Sequence, residues 1–144
     1  YTMCYRETKI PEFLQQAKKV EEFLFNHPHM PTDYVPYWDF DAPEIPNEPR
    51  DASAAAIIAS ALYELSLYDP ENAERDKEWA DKILENLSKN YRATMGHDNG
   101  FLLLHSTGTK PTNVEVDVPI VYADYYFIEA LLRKDRLEKT GKLF

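Results

Sequence analysis

The sequence predicts an all-α protein built from consecutive helical hairpins, in which buried helices alternate with helices that keep one face in solvent. Apolar residues recur at α-helical spacing in four long segments, whereas only one short apolar run, residues 100–104, is flanked by turn residues as a strand would be. Two of the four segments are apolar nearly all round, and two carry a single apolar stripe. Because the two kinds alternate along the chain, we expect a two-layer toroid with an inner and an outer ring of helices.

The predicted outer helices are the first and the third. The first begins at Pro11, which suits the first turn of a helix, and ends near His27 and Pro28. The third runs from Glu71 to about Tyr91 and is charged over most of its surface. A helix with one apolar stripe packs that stripe inward, so both helices are expected on the outside of the fold.

The predicted inner helices are the second and the fourth. The second begins near Asp51 or Ser53, both favourable N-cap residues, and carries no charge before Glu64. The fourth opens at residues 117–119, where an acid precedes a proline, and continues as an apolar segment. We expect residues 54–62 and 121–132 to lie on these inner helices, and residues 1–7 to be the tail of a preceding one.

Two connections, residues 30–50 and 95–116, are much longer than the usual link of about 2–8 residues between packed helices. Both are followed by a predicted inner helix, and both contain aromatic residues that favour an ordered loop. In a toroid, the loops that lead into the inner helices lie on one face. Residues 34–50 and 100–110 are therefore predicted to converge at the mouth of the central cavity.

Composition restricts the partners and cofactors of the chain. Its 144 residues carry a formal net charge of −9, which argues against nucleic acid or an anionic membrane as a partner, because both require clustered Lys and Arg. The single cysteine, Cys4, excludes an intrachain disulfide and a four-cysteine zinc site. The four histidines show no ligand pair at helical spacing, so we expect no metal and no cofactor.

The beginning of the sequence predicts a piece of a longer protein. The chain starts at Tyr1 within a helical pattern, without an initiator methionine and without the basic and apolar pattern of a signal peptide. It also lacks a run of about 18 apolar residues. The compartment stays open between the bacterial cytoplasm and the periplasm.

Four segments of the chain carry a family resemblance. They are YVPYWDFDAP at 34–43, PRDASAAA at 49–56, LHSTG at 104–108 and EVDVPIVYADYY at 115–126. Together and in this order they resemble the C-terminal portion of glycoside hydrolase family 88, the unsaturated glucuronyl hydrolases of bacteria. The resemblance implies a partial (α/α)6 barrel, a six-hairpin toroid, with residues 1–144 as the C-terminal portion of a single domain.

The resemblance also implies the chemistry of the parent protein. Members of the family remove an unsaturated uronic acid from oligosaccharides that polysaccharide lyases release, and they do so by hydrating the vinyl ether of the sugar. An aspartic acid protonates the double bond and activates water. The family's two catalytic aspartates precede the portion that this chain resembles, so we expect no catalytic residue here and an inactive fragment.

The acids of this chain are accordingly given structural roles. Asp39, Asp41, Asp51 and Asp117 are not assigned to catalysis, and the first two are expected to accept hydrogen bonds from loop amides. Asp124 lies among aromatic residues, where an unpaired charge would be costly, so it is expected to make a structural hydrogen bond.

Six residues of the two long loops are candidate contacts to a saccharide: Trp38, Arg50, His105, Ser106, Thr109 and Lys110. Trp38 could stack on a sugar or anchor its own loop. Arg50 could pair with a substrate carboxylate, or it could form a structural ion pair beside an Asp51 cap. The hydroxyls and the lysine of residues 105–110 would suit a sulfate or an uncharged sugar in the leaving-group subsite.

Two alternatives to family 88 remain open at this stage. Unsaturated rhamnogalacturonyl hydrolases share the fold and the chemistry, although residues 38–41 and 50–51 favour family 88. A non-catalytic helical scaffold or sugar-binding module would explain the lack of a catalytic pair, but it would not need two long aromatic loops on one face. The expected partners are an unsaturated oligosaccharide of the glycosaminoglycan type, the rest of the barrel, and a second copy bound through uncovered inner-helix surface.

Overall fold

The structure, a computed structural model, describes residues 1–143 and is all-helical. Its α-helices are α1 (Thr2–Thr8), α2 (Pro11–Asn26), α3 (Ala52–Leu65), α4 (Ala73–Asn90) and α5 (Val121–Thr140). Two short 3-10 turns, Asp98–Gly100 and Lys110–Thr112, lie in the second long loop. The predicted all-α class is confirmed. Within the described residues, no helix is both long and apolar enough to cross a bilayer.

Helix α3 is central, because it packs against both α4 and α5. Its N-cap is Asp51, whose carboxylate accepts the backbone N–H of Ser53, as the sequence predicted. Four alanines of this helix are fully buried and let the neighbouring helices approach closely: Ala52, Ala55, Ala56 and Ala59. The prediction that residues 54–62 lie on a buried helix is confirmed, although Ile57 on the remaining face is exposed.

Helices α2 and α4 have the predicted one-sided character. Helix α2 begins at Pro11 and ends at Asn26, because His27 adopts the extended backbone that a following proline requires. Helix α4 begins at Ala73 rather than at the predicted Glu71, because Asn72 still closes the preceding turn through a side-chain hydrogen bond to Asp69 (2.9 Å).

Helix α5 departs from the prediction in two ways. It begins at Val121 rather than at 117–119, because Asp117 has a positive φ of 54° and Val118 forms a β-bridge with Ser106. It also buries only one face, whose members are Ala123, Phe127, Ala130 and Arg133. The other face exposes a row of large apolar side chains: Val121, Tyr122, Tyr125, Ile128, Leu131 and Leu132. The expectation that residues 121–132 are buried is therefore wrong for this chain alone.

A cluster of buried carboxylates joins α2 to α4. Glu21 on α2 is 6% exposed and accepts a hydrogen bond from Arg75 (2.6 Å). Asp76 is fully buried, and its carboxylate lies 3.5 Å from Arg75 without accepting a hydrogen bond from the described residues. Burial raises the pKa of Glu21 to about 7 and the pKa of Asp76 to about 6. Nearby, the buried Asp69 pairs with Lys18 (2.9 Å).

We expect this cluster to make folding more favourable at mildly acidic pH. The folded chain holds protons that the unfolded chain releases near pH 4–5, so the stabilisation is present at low pH and is lost as the pH rises through about 6 to 7. Urea unfolding at pH 5.5 and pH 8 should differ by roughly 2–3 kcal/mol. The Glu21→Gln variant, neutral throughout, should lose much of that difference. A higher unfolding free energy at pH 8 than at pH 5.5 would contradict this assignment.

Candidate functional site

The two long loops meet at the N-terminus of α3. The backbone N–H of Ala52 donates to the carbonyl of His105 (3.0 Å), and the hydroxyl of Thr107 donates to the carbonyl of Arg50 (3.0 Å). Further out, the Lys110 ammonium pairs with the Glu48 carboxylate. These contacts place residues 34–50 and 100–110 at the same end of the helical layer, so that prediction is confirmed.

A polar cleft of about 580 Å³ opens where the loops meet. Its lining comes from both loops and from the C-terminal end of α4: Asp33, Asn47, Glu48, Pro49, Arg50, Asn90, Tyr91, His105 and Asp117. Three of the lining residues are carboxylates and one is a permanent cation. The chemistry of this surface is therefore that of a site for a polar ligand.

Arg50 is held within the protein on one side of the cleft. Its guanidinium pairs with Asp33, and its Nε donates to the carbonyl of Val35 (2.9 Å). The group also lies over the ring of Tyr37, 4.9 Å from the centroid. Tyr91 donates its hydroxyl to the same Asp33 (3.0 Å), and burial raises the pKa of this tyrosine to about 12. Arg50 thus forms an ion pair of the kind that the structural alternative supposed, and its contact with a substrate stays a prediction.

Trp38, Glu48 and Lys110 form a second set of contacts at the cleft. The indole N–H of Trp38 donates to Glu48 (2.9 Å), and the Lys110 ammonium lies 5.5 Å from the centroid of the Trp38 ring. The backbone N–H of Glu44 donates to the other oxygen of Glu48 (3.3 Å). The hydrogen bond from Lys110, opposed by burial, lowers the pKa of the Glu48 carboxyl. Trp38 therefore anchors its own loop, which is the second of the two roles considered for it.

His105 and Asp117 form an exposed pair on the opposite side of the cleft. The Nδ1 of His105 lies 2.7 Å from a carboxylate oxygen of Asp117. Both residues have positive φ, 63° and 54°, a backbone conformation that costs a non-glycine residue about 1–3 kcal/mol. In the neutral tautomer that donates Nδ1–H to Asp117, Nε2 is left as an acceptor. From the sequence, Asp117 was expected only at the start of a helix, and no pattern indicated its pairing with His105 across the loop.

The remaining candidate residues of the second loop divide by exposure. Ser106 is fully buried, so its hydroxyl cannot reach a saccharide in this structure, and the expectation of a direct contact is corrected for this residue. Thr107 is also buried, and its hydroxyl donates to the carbonyl of Arg50 and accepts from the N–H of Asp117 (3.3 Å). Thr109 is exposed at the tip of the loop, where its N–H donates to the carbonyl of Val114 (3.1 Å).

Asp39 and Asp124 make the structural hydrogen bonds expected of them, whereas the same expectation for Asp41 stays a prediction. Asp39 accepts the backbone N–H of Asp41 (2.8 Å). The two oxygens of Asp124 accept the N–H groups of Leu102 and Leu103, each at 2.9 Å, and thereby tie the second loop to the first turn of α5. Over the part of the chain that the structure describes, no cluster of three or more His, Cys, Asp or Glu side chains is arranged to hold a metal ion.

Comparison with known proteins gives consistent relatives. No protein-family model matches the chain. An unsaturated glucuronyl hydrolase of Formosa agariphila is 49% identical over 138 residues, which are 95% of this chain and 34% of that protein. The crystal structure of an unsaturated glucuronyl hydrolase specific for heparin superimposes with a TM-score of 0.92 at 44% identity, over 96% of this chain and 38% of the other.

The chain is similar to unsaturated glucuronyl hydrolases over nearly its whole length. It spans about a third of the length of the curated relatives that it matches. The helical toroid of these relatives confirms the predicted architecture. A second solved relative, an unsaturated glucuronyl hydrolase mutant of Streptococcus agalactiae in complex with dGlcA-GalNAc6S, is 28% identical with a TM-score of 0.79, over 92% of this chain and 36% of that one.

We expect Asp124 to be the main clamp on the second loop. An Asp124→Ala variant leaves two backbone N–H groups without acceptors, one of them on the fully buried Leu103. The free energy of unfolding should fall by roughly 1–3 kcal/mol, which chemical denaturation will measure. The matched control is Asp135→Ala, which removes only an exposed ion pair to Lys139 and should cost less than about 1 kcal/mol. Equal losses in the two variants would refute the clamp.

Proposed function

We propose that this chain is the C-terminal portion of a single (α/α)6-barrel domain whose parent removes unsaturated uronic acid from glycosaminoglycan-type oligosaccharides released by lyases. The identity of 49% to an unsaturated glucuronyl hydrolase over nearly the whole chain carries the proposal. The fit to a heparin-specific relative supports the glycosaminoglycan class. These relatives favour the glucuronyl enzyme over a rhamnogalacturonyl hydrolase or a non-catalytic module.

In this proposal the chain contributes one wall of the leaving-group subsite. His105 offers Nε2 as an acceptor for a sugar hydroxyl, while Asp117 fixes the ring through Nδ1. Thr109 and Lys110 extend the same wall at the loop tip, and Trp38 and Arg50 hold the opposite loop in place. Hydrogen bonds from such positioned groups orient a sugar ring without taking part in bond breaking.

The cleft of this chain does not supply the proton that vinyl ether hydration needs. Such an acid must reach the sugar with a pKa tuned upward. Each cleft carboxylate instead has a basic partner: Asp33 pairs with Arg50, Glu48 with Lys110 and Asp117 with His105. The acids whose pKa is raised, Glu21 and Asp76, lie between α2 and α4 and do not line the cleft.

We expect the full-length parent to hydrolyse unsaturated uronyl disaccharides and the 144-residue chain to show no turnover. Loss of the proton donor alone should reduce the rate roughly 10²–10⁴-fold, before weaker binding is counted. The measurement is the ultraviolet absorbance of the conjugated double bond, which disappears on hydration. Turnover by the isolated chain that Asp39→Asn or Asp51→Asn abolishes would place the acid here and overturn the assignment.

The exposed apolar face of α5 supports the domain proposal. Six large apolar side chains stand in a row on a helix whose other face is packed, and an inner helix of a closed toroid is covered on both sides. We propose that the rest of the barrel covers this face in the parent, and that a second copy covers it in concentrated solutions of the isolated chain.

A charge on this face should distinguish the parent from the isolated chain. Ile128 is 52% exposed here, so Ile128→Asp should leave the melting temperature of the isolated chain nearly unchanged and should abolish its concentration-dependent sedimentation. In the parent the same change buries a carboxylate and should cost roughly 3 kcal/mol or more. Lys139→Glu, on the exposed last turn of α5, is the control. Equal effects of Ile128→Asp on parent and fragment would refute the covered face.

A further inference from the structure

The second loop has one permanent cation with which it could hold an anionic group on a sugar. Between residues 100 and 117, Lys110 is the single lysine or arginine. A sulfate ester is recognised by charge-assisted hydrogen bonds from cations and by backbone N–H groups, so the charge state around Lys110 decides whether this wall attracts a sulfate.

Glu48 is built into the opposite loop beneath that cation. Its side chain is 2% exposed, whereas the Lys110 side chain is 30% exposed. Besides Lys110, its carboxylate accepts from the Trp38 indole and from the Glu44 backbone, and its pKa is lowered. Glu48 is therefore ionised at neutral pH and cannot turn away into solvent without losing both of these donors. The Lys110 ammonium pairs with a carboxylate that lines the cleft, so its charge is already balanced.

The rest of the cleft adds no positive charge. Arg50 is balanced by Asp33, and Asp117 is paired with the imidazole of His105. Among the described residues that line the cleft, an added anion therefore finds no permanent cation without a carboxylate partner, and it meets the carboxylates of those pairs. A sugar that presents only hydroxyls meets acceptors at His105 and Asp117 and no repulsion.

From this arrangement, and resting on the proposed function, we propose that Glu48 is a specificity-determining residue: it neutralises Lys110, so the leaving-group subsite takes an unsulfated sugar and disfavours a sulfated one. Glu48 acts through Lys110 rather than by touching the reacting atoms. The related enzyme of Streptococcus agalactiae has been crystallised with dGlcA-GalNAc6S, so selection against sulfate is not a consequence of the fold.

The test compares kcat/KM of the full-length parent for an unsulfated unsaturated disaccharide and for its 6-sulfated counterpart. The wild type should prefer the unsulfated substrate, and Glu48→Gln, which keeps an acceptor for the Trp38 indole, should shift the ratio about tenfold or more toward the sulfated one. Adding Lys110→Gln to that variant should reverse the gain. Glu85→Gln, which breaks an exposed ion pair with Lys89, is the matched control and should leave the ratio unmoved.

Two further measurements separate this inference from the proposed function. Binding of N-acetylgalactosamine 6-sulfate, followed by ligand-observed NMR, should be tighter to the Glu48→Gln parent than to the wild type, whether or not either turns over a disaccharide. Lys110→Gln alone should change sulfated turnover by less than about threefold, since its charge is already balanced. A tenfold loss in that variant, or an unmoved ratio and unmoved binding in Glu48→Gln, would overturn the role of Glu48 and leave the hydrolase proposal intact.

Discussion

The position of the whole cleft depends on how the N-terminus of α3 is held. The first N–H groups of a helix have no partner within the helix, and here they are satisfied from both long loops. The Asp51 carboxylate accepts from Ser53 (3.0 Å), and the carbonyl of His105 accepts from Ala52 (3.0 Å). A shift of either loop would therefore leave N–H groups at the start of α3 without hydrogen-bond acceptors, which is costly for buried groups. The cleft between the loops is thus held in position by α3.

The second loop contains strained backbone conformations, and hydrogen-bonded bridges within the loop offset their free-energy cost. His105, Asn113, Glu115 and Asp117 all have positive φ, which is unfavourable for residues with a Cβ. Bridges from Ser106 to Val118 and from Thr109 to Val114 close the loop on itself. Gly108 permits this closure, because a Cβ there would lie 3.2 Å from the Cβ of Glu115. The part of the loop that carries Thr109 and Lys110 is thereby held in one conformation before any ligand binds.

The sequence predicted the elements whose signals are local and missed those that depend on distant partners. Pro11, the Asp51 cap and the apolar run of α3 are readable because a proline, a capping carboxylate and a charge-free helix act within a few residues. The burial of α5 was overestimated, since hydrophobicity shows that a face needs covering but not which segment covers it. Ser106 and Thr107 show the same limit at the site: both side chains are buried, and no local pattern indicates that the Thr107 hydroxyl bonds to the distant Arg50 carbonyl. The pairing of Glu48 with Lys110 spans 62 positions and left no local trace in the sequence.

Helix α5 links the bare surface of the chain to the cleft. At its first turn, Asp124 holds Leu102 and Leu103 of the second loop, and near its other end the buried Arg133 donates to the carbonyl of Ser60 (2.8 Å) and pairs with Glu64 on α3 (2.9 Å). The same helix carries the row of uncovered apolar side chains. A protein surface that packs on this row therefore contacts a helix that is hydrogen-bonded to the second loop through Asp124 and to α3 through Arg133. The geometry of the cleft is then coupled to α3, through the Asp51 cap, and to whatever covers α5, through Asp124.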